Sequence, residues 1–145
     1  MTRPLAYFDT SVVVKRYVAE RGAARARALL RQHRLLSSAI TPVEALSALC
    51  RRRAAGDIAA RDFADILARV QKDRTSWHLV NVSGAVLEQA EEIVRRTCLR
   101  TLDAVQLASV VTVRGLAEAR IPFVTADARQ REAAGEFALD VIWVE

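Results

Sequence analysis

Five short apolar runs alternate along this chain with longer stretches of helical periodicity, and that alternation restricts the fold more than any other feature. The runs Leu5–Phe8, Leu35–Ile40, Trp77–Val82, Phe123–Thr125 and Val141–Val144 read as strands. Helical spacing of apolar residues predicts helices near 11–19, 23–33, 42–54, 58–74, 84–98, 102–118 and 127–134. Gly22, Gly56 and Gly135 stand where helices should stop, and Asp57 and Ser83 are candidate caps. Strands separated by helices pair in parallel through right-handed crossovers, which predicts an α/β sandwich. At 145 residues with 5 Gly and 3 Pro, the chain reads as one compact domain over 1–145.

Four carboxylates interrupt this apolar background alone. Asp9 sits within PLAYFDTSVVV, Glu44 within LLSSAITPVEALSALC, Asp103 within LDAVQLASVVTV and Asp127 within IPFVTADA. An ionised carboxylate among apolar neighbours is costly to bury unless something cationic meets it. Each has an ordinary explanation as well. Asp9 and Asp127 follow strands and can cap the next helix. Thr41-Pro42-Val43-Glu44 fits a reciprocal capping box with Pro at the first helical position. Asp103 lies in a first turn, where the helix dipole favours an acid. The helix from Leu102 carries no other charge over twelve residues, so it is expected to be buried and to carry Asp103 into a cleft. A fifth solitary acid, Asp140, precedes its strand and reads as structural.

Considered jointly, the four acids point to one site. The carboxyl ends of parallel strands share an edge, and ligands bind there where strand order reverses. Asp9, Glu44 and Asp127 follow the first, second and fourth strands, and Asp103 can reach the same edge. Carboxylates gathered so closely repel one another, and a cation would relieve them. Oxygen donors without His or Cys indicate Mg²⁺ or Mn²⁺.

Charge adds a second indication. The net charge is +5 despite these acids, with 20 Arg and 2 Lys, and Arg suits phosphate geometry. Many of the arginines, Arg51, Arg52 and Arg53 among them, are equally accounted for as solvated helix faces. Cys50 and Cys98 form no CxxC and no Cys/His cluster, so neither zinc nor a disulfide framework is indicated. His33 and His78 are isolated and receive no role. The sequence shows neither a long apolar span nor a secretory leader, so a cytoplasmic location and no membrane association are expected.

Tyr7-Phe8-Asp9-Thr10-Ser11, Thr41-Pro42-Val43-Glu44-Ala45, Thr101-Leu102-Asp103-Ala104 and Val124-Thr125-Ala126-Asp127 together resemble the PIN-domain nucleases. At this length the chain is most similar to the VapC-type toxins of bacterial toxin–antitoxin pairs. The resemblance implies a three-layer α/β/α sandwich around a five-stranded parallel sheet of order 3-2-1-4-5. It implies that Asp9, Glu44, Asp103 and Asp127 hold divalent metal, directly or through water, and that Thr125 orients the last carboxylate. Thr10 and Ser11 are weaker candidates. The implied activity is Mg²⁺- or Mn²⁺-dependent endoribonuclease cleavage by in-line attack of an activated water, leaving 5′-phosphate and 3′-hydroxyl ends. Arg100 and Arg129, close to Asp103 and Asp127, are candidate phosphate contacts. The resemblance also implies a homodimer and a small antitoxin partner, for which the apolar helix surfaces Val12–Val18 and Phe63–Val70 are candidates, with core as the alternative.

Two rivals belong to other classes. A phosphate-accepting signalling receiver needs paired acids after the first strand and a lysine at the end of the last one, whereas Lys15 and Lys72 stand at no strand end. The other is a catalytically silent RNA- or protein-binding module on the same fold, which the complete set of acids disfavours.

Overall fold

The computed structural model describes residues 2–117 and 120–145. The strands are β1 (Leu5–Phe8), β2 (Arg34–Ser38), β3 (His78–Val80), β4 (Phe123–Thr125) and β5 (Val141–Trp143). Every pair in the sheet is parallel, and the order is β3-β2-β1-β4-β5. Strand order therefore reverses between β1 and β4. The helices are α1 (Thr10–Val14), α2 (Ala23–Gln32), α3 (Thr41–Ala54), α4 (Ala60–Asp73), α5 (Gly84–Thr97), α6 (Thr101–Leu116) and α7 (Ala128–Gly135).

β1 is central because both of its faces are apolar. Successive side chains point to opposite faces of a strand. Ala6 and Phe8 accordingly join Val12, Leu49, Phe63 and Ile66 in one core, and Tyr7 joins Ile93, Leu107, Val110 and Phe123 in the other. All three strand residues are fully buried. α6 is buried without a break from Ala104 to Val110, as its uncharged composition predicts. The predicted α/β/α layering and strand order thus hold.

Local differences have local causes. α1 is five residues long rather than spanning 11–19. Beyond it Arg16 Nε and Tyr17 Oη both donate to Asp73 Oδ2, at 2.8 and 2.6 Å, and Lys15 Nζ donates to the Arg21 carbonyl. β2 begins at Arg34 and stops at Ser38, so Ala39 and Ile40 form the turn into α3, while Trp77 ends a 3₁₀ turn before β3. Asp57 does not cap α4, whose N-cap is Ala59 with no side-chain bond, whereas Ser83 does cap α5 by accepting from the Val86 N–H. Gly22 opens α2 at φ 83° instead of closing a helix; Gly56, at φ 86°, follows α3 as expected. The last residue of the helix predicted over 102–118 lies outside the described residues.

The apolar stripes Val12–Val18 and Phe63–Val70 are core, not docking surface: Val12, Val13, Val14, Tyr17, Val18, Phe63, Ile66 and Val70 are all buried. Asp140 lies just before β5, ion-paired with Arg120 at the edge opposite the other acids.

α3 is anchored through fully buried Ala45 and Leu49. Leu49→Ala should lower stability by about 2–5 kcal/mol, read as a shift in urea midpoint at unchanged m-value.

Candidate active site

Two of the four acids cap helices at the reversal of strand order. Asp9 leaves β1 and becomes the N-cap of α1, where its Oδ2 accepts from the Ser11 N–H at 3.0 Å. Asp127 follows β4 and caps α7, its Oδ1 accepting from the N–H groups of Arg129 and Gln130 at 2.8 and 3.1 Å. Ser11 Oγ accepts from the Ala126 N–H at 3.1 Å and so ties the start of α1 to the end of β4. The ordinary capping role and the converging role are both true of these two residues.

Glu44 departs from the capping box. Thr41 is already helical and buried, and its hydroxyl meets Ser37 Oγ at 2.6 Å instead of a helix N–H. Freed from that reciprocal bond, Glu44 reaches across the cleft, where its Oε1 accepts from Thr10 Oγ1 and Gln106 Nε2, both at 2.7 Å. Asp103, in the first turn of α6, has no hydrogen-bond or ion-pair partner for its carboxylate among the described residues.

All four acids line one cleft of about 640 Å³, together with Thr10, Ser11, Val43, Ser47 and Leu102. None of the ion pairs among the described residues includes any of them. The nearby cations are engaged elsewhere. Lys15 and Arg52, both on the cleft wall, pair with Glu20. Arg51 donates to Ser47 Oγ at 2.6 Å, and its charge lowers the Glu44 carboxyl without pairing with it. Arg51 and Arg52 are among the arginines that the sequence accounts for equally as phosphate contacts or as a solvated helix face.

Burial and mutual repulsion set the electrostatics. Burial pushes the Asp9 carboxyl up, against the hydrogen bonds of Ser11 and Gln130 and with the charge of Asp127 adding to the rise. Burial likewise raises Glu44. Asp103 is raised to about 6, by burial first and then by the charges of Asp127, Asp9 and Glu44.

Two buried glutamines complete the site. Gln130 Nε2 donates to Asp9 Oδ1 at 3.0 Å and to the Asp103 carbonyl at 3.4 Å, while its Oε1 accepts from Thr125 Oγ1 at 2.8 Å. Thr125 Oγ1 also accepts from the Asp127 N–H at 3.1 Å, so it positions Asp127 through the main chain and not through the carboxylate. On the other side Gln106 Nε2 faces Glu44, Thr10 and Thr41, and its Oε1 accepts from Tyr7 Oη at 2.6 Å. Both amides are fully buried. Gln106 was visible in the sequence as the one long polar side chain within the apolar stretch of α6. Gln130 gave no signal, since it sits among Arg129, Arg131 and Glu132 in an apparently solvated helix.

The donor set suits a hard divalent cation, being oxygen-only and anionic. It is open: among the described residues no three acidic, histidine or cysteine side chains close into a ready-made metal cluster. Arg100 and Arg129 are exposed and line a shallow depression that shares Asp103, Ala126 and Asp127 with the main cleft.

A doubly wound parallel sheet with an acid-lined cleft at its order reversal defines a class of ligand-binding domains. The profile of the PIN domain family matches residues 6–136, and the chain belongs to that family. PIN domains are generally nucleases and generally use divalent metal ions. No curated protein matches the sequence. Among solved structures, a toxin–antitoxin complex from Klebsiella pneumoniae is similar, with a TM-score of 0.59 and 18% identity over 86% of this chain and 88% of that one. At that identity the likeness concerns the fold.

Because the folded protein holds a proton on Asp103 up to about pH 6 and the unfolded chain releases it near 3.8, ionising Asp103 destabilises the fold as pH rises through that window. In chelator, Asp103→Asn should melt higher than the unsubstituted protein at pH 7.5. The difference should shrink as pH falls below 6 and vanish once the unfolded carboxyl is also protonated, at about pH 3.

Proposed function

We propose that this protein is a metal-dependent endoribonuclease and the toxin of a type II toxin–antitoxin pair. The observation that carries the reading is four carboxylates in one cleft with no cationic partner among the described residues. A bound cation would relieve the repulsion that the cleft's own arginines leave in place. Family membership supports the nuclease, and the basic, arginine-rich composition supports a polyanionic substrate.

In this reading Asp9, Glu44, Asp103 and Asp127 hold Mg²⁺, or Mn²⁺ in its place, directly or through water. The ion, when bound, supplies a water of lowered pKa and a countercharge for the phosphate. Gln130 and Ser11 fix the Asp9 carboxylate from behind. Gln106 and Thr10 do the same for Glu44, and Thr125 holds the backbone of Asp127. Arg100 and Arg129 contact phosphates flanking the scissile one. Attack on phosphorus from the side opposite the 3′ oxygen forms the new P–O bond as the P–O3′ bond breaks. The proton from water ends on the 3′ oxygen, leaving 5′-phosphate and 3′-hydroxyl ends.

The toxin assignment rests on the likeness to a structure solved with its antitoxin. It brings a small antitoxin protein as partner and a homodimer as the working form, in the cytoplasm. Among the described residues no helix is long and apolar enough to cross a membrane.

The deciding experiment combines cleavage with binding. Purified protein should cut single-stranded RNA in Mg²⁺ and lose this in EDTA, and Asp9→Asn should lower the rate by about 100-fold or more while keeping the fold. Ion at 100 times its Kd should add about 2.7 kcal/mol of stability, read as a higher Tm, and Asp9→Asn should lose most of that rise. RNA binding without cleavage, and with no ion-induced rise in Tm, would identify a silent binding module instead.

A further inference from the structure

The opposite edge of the sheet is the acid site's electrostatic inverse. Parallel strands start at a common edge, and three of them carry a basic residue at or just before that start. Arg3 precedes β1, Arg34 opens β2 after His33, and His78 opens β3 after Trp77. Together with Arg16 and Arg31 they line a hollow of about 400 Å³. Its one acid is Asp73, already committed to Arg16 and to the Tyr17 hydroxyl.

What distinguishes this hollow from scattered surface arginines is how its cations are held. Arg3 donates to the Leu30 and Arg31 carbonyls at 3.4 and 2.8 Å, and Arg34 Nε donates to the Arg3 carbonyl at 2.8 Å. Neutral acceptors orient a guanidinium without cancelling its charge. The side-chain entropy of Arg3 and Arg34 is therefore already surrendered, which lowers the cost of binding an anion. Arg31 has no side-chain partner among the described residues, and its fork is open to phosphate oxygens. His33 is held through Nδ1 by the Leu29 carbonyl at 3.0 Å. Trp77 lines the same hollow, half-buried against the core, and an aromatic ring at such a place is the usual stacking partner of a base.

We propose that this hollow binds a nucleotide phosphate, with Arg31 and Arg34 as the phosphate contacts and Trp77 beside the base. It is distinct from the acid cleft, although Val13 and Arg16 line the hollow while their chain neighbours Val14 and Lys15 line the cleft, and its occupant is either a free nucleotide or a segment of an RNA strand.

The test is binding in EDTA, where cleavage is absent and the acid cleft repels phosphate. Tryptophan emission is followed in a Trp143→Phe background, so that Trp77 is the reporter, while AMP or a 20-nucleotide RNA is titrated. A response to AMP identifies a free-nucleotide site, and a response to RNA alone identifies an RNA anchor; either supports the proposal. Arg31→Gln with Arg34→Gln should weaken the responding ligand by about tenfold or more and reduce the RNA salt slope by about 1.4. Arg31→Gln alone, which breaks no side-chain hydrogen bond, should show a smaller shift of the same sign and guards against misfolding of the double variant. No emission change with either ligand, or affinity unchanged in both variants, overturns it. The result does not depend on whether the protein cleaves RNA.

Discussion

Repulsion among Asp9, Glu44, Asp103 and Asp127 is the constraint around which the rest of the molecule is arranged. A folded chain can relieve such crowding by supplying arginines, but that would fill the cleft with its own cations. Here the acids are held by partners that carry no charge: the Ser11 N–H and Gln130 amide on Asp9, the Thr10 hydroxyl and Gln106 amide on Glu44, and two helix N–H groups on Asp127. Direction is fixed without a countercharge. The raised carboxyls of Asp9, Glu44 and Asp103 record the strain that remains.

The scaffold makes this arrangement stable. β1 is flanked on both sides and packed on both faces, so Asp9 at its end is held by two cores at once. α6 buries seven consecutive residues and so fixes the height at which Asp103 enters the cleft. Tyr7 extends the second core directly to Gln106 and couples the packing of the sheet to the position of Glu44.

Much of this was legible in the sequence because it concerns patterns along the chain. Apolar runs gave the strands, solitary acids gave the rim of the cleft, and a charge-free helix gave the buried α6. What was not legible was decided by contacts between distant segments. The Thr41–Glu44 capping box is locally sound, yet Ser37 takes Thr41, and Thr10 and Gln106 take Glu44. Asp57 is a sound cap by type, but the chain turns on past it before α4 begins. Gln130 was invisible because a search for charge passes over amides, and its partner Asp9 lies 121 positions away. The basic hollow is illegible for a related reason: Arg3, Arg34 and His78 become neighbours only through strand pairing.

That long sequence separation bears on when the cleft is completed during synthesis. β4 slots between β1 and β5, and it delivers Thr125, Asp127 and Gln130 to a rim where Asp9 has been waiting since the first strand. A growing polypeptide that has emerged only as far as α6 lacks one wall of the cleft and the amide that steadies Asp9. The chemistry proposed for this domain therefore stays latent until α7 has left the ribosome.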